Sequence, residues 1–492
     1  MIHSLGAISK AKVVVKKAGK ISAYRHFLSH SQGDFSGAFA DLPLTDKKNY
    51  ILPYDYAQLR APDAQTEFTL FRSSGSSGQA FFWPQLRKPY RQLVSGLRGM
   101  LEASFQIHKK RTIGIVGLAL GSWVGGDCFS WSLKNLAMQV PYPFTVFSPG
   151  NHHDEIIEII QKYDLFVDQF LILMCPSAIG HLQLKAKDKG ITLPFYKLRY
   201  LVLGEPFPEQ LRLSLQKQSG HECPILSLYG SADTGTLGVE SPASAALRQL
   251  FCGNAALREA FQVPYPVPHF FHFVTPQTYI ESINQELVIT KWQGIPLIRY
   301  NLHDRAALYH WKTLCQDIQS KVHTLSEDEG KLLKKVTQSS HFCKTSWLVK
   351  KLLGQPHLGD LISITGRSDA SLILCGTNLT EEMLAEVMHA PALTSYITGQ
   401  FYAKVAYQEG RQFLFFDIEV LNKMLLTPET EELLYHILIK KLGKVQPEFL
   451  QDWQNVYSAW DDQPEKRILK LSLHAWPALS KHAELKIKHR GI

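Results

Sequence analysis

Apolar positions along the chain follow two alternating rhythms. Thr112-Ile113-Gly114-Ile115-Val116-Gly117-Leu118-Ala119-Leu120 is an almost unbroken apolar run, the pattern of a strand buried on both faces. Shorter runs of the same kind follow at 170–174, 200–203 and 225–229. Between them the spacing turns helical. Residues 89–107 carry Leu93, Leu97, Met100, Leu101 and Phe105; residues 154–163 carry Ile156, Ile157, Ile159 and Ile160; and 209–218 reads as a third helix. The alternation predicts βα units, hence an α/β fold with mostly parallel sheets and flanking helices. Ligands of such sheets sit outside the carboxyl ends of the strands, so the loops at 121–126, 175–177, 204–206 and 230–235 are the first places to look.

The rest of the chain is less regular. Residues 1–65 read as helical, with a break at Pro43 and Thr45 as a helix N-cap. Residues 236–280 lose periodicity, and 285–290 reads as a strand. A polar and basic stretch near 306–360 predicts an inserted helical segment, a surface on which a carrier protein could dock. From residue 384 onward the pattern is α+β: strands at 401–405, 413–418 and 467–473, and a helix at 428–442.

Composition narrows the classes. The 492 residues are 45% hydrophobic and 20% charged, ordinary for a globular enzyme, and long enough for two to four domains. No apolar run reaches about 18 residues, so no membrane span is expected. No secretory leader is recognisable, which predicts a cytoplasmic protein. The seven cysteines are scattered without a Cys-x-x-Cys, which argues against a disulfide framework or a zinc knuckle. The net charge of +9 is not gathered into an aromatic-laced patch, so no nucleic acid is expected; a phosphate-rich small ligand is compatible with it.

Candidate chemistry begins at Ser73-Ser74-Gly75-Ser76-Ser77-Gly78, flanked by apolar runs that read as strands. Glycines let backbone amides approach a ligand, and those amides with the serine hydroxyls suit phosphate oxygens. The same run also reads as a flexible linker. Further along stand Gly204-Glu205-Pro206, Tyr229-Gly230-Ser231-Ala232-Asp233, Pro296-Leu297-Ile298-Arg299-Tyr300-Asn301-Leu302-His303-Asp304 and Ile364-Thr365-Gly366-Arg367-Ser368-Asp369. Each has a plain structural reading as a turn, a strand end or a cap.

In this order the stretches resemble the adenylate-forming superfamily of acyl- and aryl-CoA synthetases, with phenylacetate–CoA ligase as the closest branch. Leu42-Pro43-Leu44-Thr45-Asp46-Lys47 is similar to that branch's lead-in to the phosphate loop. The resemblance implies an N-terminal domain over 1–366 and a mobile C-terminal lid over 367–492. It implies that Ser73 to Gly78 hold the β- and γ-phosphates of ATP. Gly204, Glu205 and Pro206 would line the adenine, Tyr229 would stack on it, and Gly230 and Ser231 would adjoin the α-phosphate. Asp233 would bind magnesium, Asp304 the ribose hydroxyls and Arg367 the nucleotide. Asp369 would be the hinge, and Cys375-Gly376-Thr377-Asn378 would approach the pantetheine arm. A lysine near the C-terminus, with Lys486 favoured over its neighbours, would assist adenylation. Trp123, Gly125, Gly126, Phe129 and Trp131 stand where the family holds an aromatic acid.

The implied function is ATP-dependent activation of a carboxylic acid as an acyl-adenylate and transfer to a thiol, coenzyme A first. A carrier-protein thiol, a protein cysteine or an amine are alternative acceptors. The chain also departs from the family. Ala232 replaces a hydroxyl residue, Asp233 a glutamate, Gln79 a lysine and Ala370 an aspartate. A nucleotide-binding scaffold with weakened turnover therefore stands as a second class of reading, with Asp304, Arg299 and Arg367 retained for the nucleotide in both.

Overall fold

A computed structural model of the chain describes residues 2–31, 37–62, 67–73, 81–219, 224–275, 277–319, 331, 359–368 and 371–479. Its centre is one sheet of twelve strands. One half of that sheet is parallel, in the spatial order Phe144–Phe147, Thr112–Val116, Gln169–Met174, Leu198–Val202 and Ile225–Ser231. Every residue of Thr112–Val116 and of Gln169–Met174 is buried, which is why these strands read as apolar runs without alternation. The helices Val124–Gln139, His153–Tyr163, Pro176–Asp188 and Glu209–Gln218 connect them and cover both faces. Ile156, Ile157, Ile159 and Ile160 of the second of these helices are all buried in the core beneath the sheet.

After Ile225–Ser231 the pairing becomes antiparallel. Gly235–Val239, His269–Phe273, Leu361–Arg367, Leu297–Tyr309, Glu286–Lys291, Thr278–Ile283 and Ser4–Leu5 complete the sheet. Within it Thr278–Ile283 and Glu286–Lys291 form a tight hairpin, turned by Asn284 and Gln285, both at positive φ (52° and 63°).

The N-terminal segment departs from the sequence reading. Helices Ile8–Ala18 and Ser22–His30 are present, but Ser4–Leu5 joins the sheet and short turns follow. Thr45 is not the cap. Asp46 takes that place, accepting the Asn49 amide at 2.7 Å, while the Thr45 hydroxyl donates to the Ile298 carbonyl at 2.8 Å and pins the segment to the sheet. A one-residue shift of this kind is invisible locally, because Thr and Asp both cap well.

A second, smaller unit has its own core, from Leu372 to Leu469. Its sheet pairs Ile397–Gln408 antiparallel with Arg411–Val420, and the latter parallel with Leu469–Ala475. Helices Glu381–Met388, Pro428–Val445 and Pro447–Asn455 pack on it, and the hairpin Ser371–Leu374/Thr377–Thr380 stands beside it. The unit docks on the large one. The Trp460 indole and the Lys466 ammonium both donate to Asp188 at 3.1 Å, and Asn455 donates to Asn151 at 2.9 Å. Among the described residues no helix is long and apolar enough to cross a membrane. Of the expected insertion near 306–360, the structure describes the end of Leu297–Tyr309 and the helix Trp311–Gln319; residues 320–330 and 332–358 lie outside the described residues.

Candidate active site

The carboxyl ends of the parallel strands open into one cleft of about 1680 Å3, continued by the antiparallel strands on one side and the small unit on the other. Cys175, Gly204, Glu205, Pro206 and the turn Tyr229 to Asp233 lie on its wall, as the strand pattern predicts for a doubly wound sheet.

Two tyrosine–aspartate pairs define one end. The Tyr229 hydroxyl donates to Asp304 at 2.6 Å, and the Tyr300 hydroxyl donates to Asp233 at 2.6 Å. Each carboxylate is thus held by the tyrosine of the other's segment, which locks the Tyr229–Asp233 turn to the strand Leu297–Tyr309. Burial, then the adjacent carboxylate, pushes both phenols well above their ordinary range, so both stay protonated donors. Tyr229 stacks on Phe271 with centroids 5.4 Å apart. Arg367 pairs in the sheet directly with Asp304, and its guanidinium lies 3.7 Å from that carboxylate. Ser231 is tied into the turn through its hydroxyl, 3.0 Å from that of Thr234.

Cations surround this end. The Lys47 ammonium donates to the Ser73 hydroxyl at 3.2 Å, at the base of the serine–glycine run. Burial lowers its pKa, Asp233 opposes that, and Arg367 adds to it, so Lys47 faces both. Lys291 reaches the Thr234 carbonyl at 2.6 Å from the end of its strand, and burial lowers its pKa to about 8. Lys47 entered the sequence reading only as part of the lead-in. Lys291 did not enter it, because a lysine closing an apolar strand reads as a solvated end.

The opposite end is acidic. Glu205 is 9% exposed; its Oε1 accepts the Ser177 amide and, at 2.9 Å, the Tyr407 hydroxyl from the small unit. Asp452 accepts from Asn151 at 2.8 Å and from Thr377 at 3.3 Å. Glu448 lies one turn before Asp452 on the helix Pro447–Asn455, on the same face. Burial raises all three carboxyl groups, Glu205 and Asp452 to about 7 and Glu448 well above its usual value. Beside Glu205, Gly204, Gly376 and Cys175 pack closely together. A Cβ on Gly204 or Gly376 would stand 3.2 or 3.1 Å from the Cys175 sulfur, and both glycines hold positive φ. The paired carboxylates on the helix were readable as a spacing, but their facing the cleft follows only from how the small unit docks.

A third wall is apolar, built by Leu93, Leu97, Met100, Phe129 and Val239. Trp123, Gly125, Gly126 and Phe129 line the cleft; Trp131 does not. It is 40% exposed and packs on Phe68 and Tyr90. Arg299 also leaves the expected set. Buried beneath the site, it donates to the Ala40 and Leu42 carbonyls and pairs with Glu281, so its role is to hold the N-terminal segment. The strands Glu67–Arg72 and Phe82–Leu86 flank the serine–glycine run as an antiparallel pair, and Ser73 is buried at its base. Ser74, Gly75, Ser76, Ser77, Gly78 and Gln79, the hinge Asp369 with Ala370, and Lys486 lie outside the described residues.

For magnesium, the donor set offers one carboxylate, Asp233. Among the described residues no group of three or more His, Cys, Asp or Glu side chains gathers to hold a metal. Magnesium bound by one carboxylate, water and substrate phosphates needs no more than this, so the residues fit an ion that arrives with a triphosphate.

No protein-family model matches the chain, and no curated protein matches it by sequence. Among solved structures it resembles 2-hydroxyisobutyryl-CoA ligase in complex with 2-HIB-AMP and CoA in the thioesterification state. The two share 12% identity and a TM-score of 0.57, over 98% of this chain and 88% of that one. A malonyl-CoA ligase with methylmalonyl-CoA and AMP bound aligns at 10% identity and TM-score 0.42, over 93% and 83% of the two chains. The amide bond synthetase McbA from Marinactinospora thermotolerans aligns at 10% and 0.44, over 84% and 67%. The large mixed sheet with flanking helices and a separate small C-terminal sheet unit is therefore the fold of that first, adenylate-forming ligase.

Proposed function

We propose that the protein activates an apolar carboxylic acid with ATP as an acyl-adenylate and passes the acyl group to a nucleophile admitted beside the small unit, coenzyme A being the acceptor the sequence resemblance implies. The observation that carries this reading is the crossed pair Tyr229–Asp304 and Tyr300–Asp233, set between Lys47, Arg367 and Lys291. Asp304 offers two acceptor oxygens to a vicinal diol once Tyr229 yields. Lys47 supplies at the base of the serine–glycine run the charge that Gln79 does not. Asp233, positioned by Tyr300, would hold magnesium, which supplies charge neutralisation at the phosphates. Attack of the acid's carboxylate on the α-phosphorus, with release of pyrophosphate, asks chiefly for positioning and charge stabilisation, which this constellation offers. The apolar wall favours an acid with an aryl or alkyl body. Lys486 and Asp369 keep the adenylation and hinge roles that the resemblance implies.

The test is mass spectrometry of the protein incubated with ATP, magnesium and a panel of aryl and fatty acids. An acyl-AMP formed with at least one acid, and lost in Asp304→Ala, is the expected result. ATP bound but no adenylate with any acid would leave the scaffold reading.

A further inference from the structure

Resting on the acyl-adenylate reading, we propose that Arg72 is the anchor for the acid: its guanidinium binds the substrate's carboxylate at the edge of the apolar wall and holds it for attack. Arginines inside a protein normally donate to the chain's own acceptors, because a desolvated donor left unused is costly. The other buried arginines of the large unit follow that rule. Arg212 donates to Glu209 and Glu240, Arg248 to Glu209 and the Phe207 carbonyl, and Arg299 to the Ala40 and Leu42 carbonyls. Arg72 departs from it. Its Nε is buried without a hydrogen-bond partner. Its charge is felt by Glu448 of the small unit, yet among the described residues no ion pair joins the two. A half-buried cation with unused donors on the wall of a cleft is matched by an anion from outside.

The backbone fixes where those donors lie. Arg72 ends the strand Glu67–Arg72; its amide donates to the Ser122 carbonyl at 2.7 Å, and it bridges Trp123 in parallel register. This lays the guanidinium over the Trp123 ring, 4.9 Å from the centroid. A guanidinium stacked by its face keeps its edge for the two parallel N–H···O bonds that a carboxylate accepts. The indole is itself held, since its N–H donates to Gln451 at 2.7 Å. Trp123 shares the cleft wall with Gly125, Gly126 and Phe129, so the fork stands at the apolar end. Successive side chains along a strand point to opposite sides. Ser73, the next residue, meets the Lys47 ammonium at 3.2 Å, and Arg72 is turned away from it. The two cations thus divide the anions: Lys47 takes the phosphates and Arg72 the carboxylate. Paired in this way, the carboxylate approaches the triphosphate with its repulsion neutralised. One of its oxygens bonds to the α-phosphorus, and the bond from that phosphorus to the bridging oxygen breaks, its electron pair leaving on pyrophosphate.

The experiment supplies the whole protein with ATP, magnesium and the acid, from a panel of aryl and fatty acids, that gives the fastest pyrophosphate release. Arg72→Gln should raise the KM of that acid about tenfold or more, while the KM of ATP stays within about twofold. Arg72→Lys, which keeps the charge and loses the fork, should recover part of the loss. The primary amide of the same acid, uncharged and of the same shape, serves as a competitive inhibitor. Its Ki should stay within about twofold of wild type in both variants, a split that a merely structural role for Arg72 does not produce. An acid KM within twofold of wild type in Arg72→Gln overturns the proposal. So does an ATP KM that rises as far as the acid KM, which gives Arg72 to the phosphates, and so does an amide Ki that rises in step with the acid KM. If Arg72→Gln does not fold, Arg72→Lys carries the comparison: an acid KM raised severalfold with the amide Ki unmoved supports the anchor, and any other pairing overturns it. Should no acid release pyrophosphate, the adenylation reading fails by itself. The anchor is then read by calorimetric titration with sodium phenylacetate and sodium decanoate. Heat that Arg72→Gln abolishes supports it; no heat in the wild type, or equal heat in the variant, overturns it.

Discussion

At the basic end of the cleft, Asp233 and Asp304 each accept a tyrosine hydroxyl at 2.6 Å in the company of Lys47 and Arg367. At the end beside the small unit, Glu205 is buried and Glu448 and Asp452 are half-buried, with Arg72 as the cation on Glu448. The same side-chain chemistry is used to opposite effect. Where cations and phenols surround a carboxylate, the site is organised in advance for an anionic ligand that brings metal and phosphate. Where desolvation dominates, the carboxyl groups are held partly protonated.

The contrast can be broken first at its basic end. Asp304→Ala removes two acceptor oxygens from the proposed ribose site. Charged hydrogen bonds contribute about 1.5–3 kcal/mol each, so kcat/KM for ATP should fall on the order of a hundredfold or more. Lys47→Met keeps the stem and removes the charge. A loss of roughly ten- to hundredfold in the same constant is expected, and a larger effect than Lys291→Met would show that the base of the serine–glycine run is where the phosphates sit. Beside Glu205, Gly376→Ala puts a methyl 3.1 Å from the Cys175 sulfur at φ +89°. Acyl transfer, read by product formation, should slow about tenfold and more than pyrophosphate release does.

The smallest expected effect is on stability. Glu205 and Asp452 titrate at about 7 in the folded protein, against about 4 when unfolded. A carboxyl group with a raised folded pKa contributes stability that is full below the unfolded pKa and is lost as the pH rises through the folded one. Without acceptor, the melting temperature should therefore drop by a few degrees between about pH 4.5 and about pH 7.5. That drop should shrink in Asp452→Asn, as followed by scanning calorimetry.

How much of this was legible in the chain divides along the same line. The parallel half announced itself, because strands such as Gln169–Met174, buried on both faces, leave no polar alternation. The antiparallel half did not. His269–Phe273 and Gly235–Val239 are short and lie among prolines and glycines, where neither period runs long enough to read. At the site, Asp304, Tyr229 and Arg367 were named from local motifs and do converge. Tyr300 as the clamp of Asp233, and Lys47 as the cation beside Ser73, needed contacts between segments far apart in sequence. Arg299 shows the converse: it stands beside that clamp in sequence, yet packs against Ala40 and Leu42. The acidic end was the least legible, since Glu448 and Asp452 join Glu205 on the cleft wall only once the small unit docks.

The most direct test of the central claim is isotope exchange of labelled pyrophosphate into ATP in the presence of magnesium and a panel of apolar acids, with no acceptor added. Exchange that depends on an acid, and that is lost in Asp304→Ala, is what the account predicts. ATP binding that is retained while every acid leaves exchange at background would contradict it.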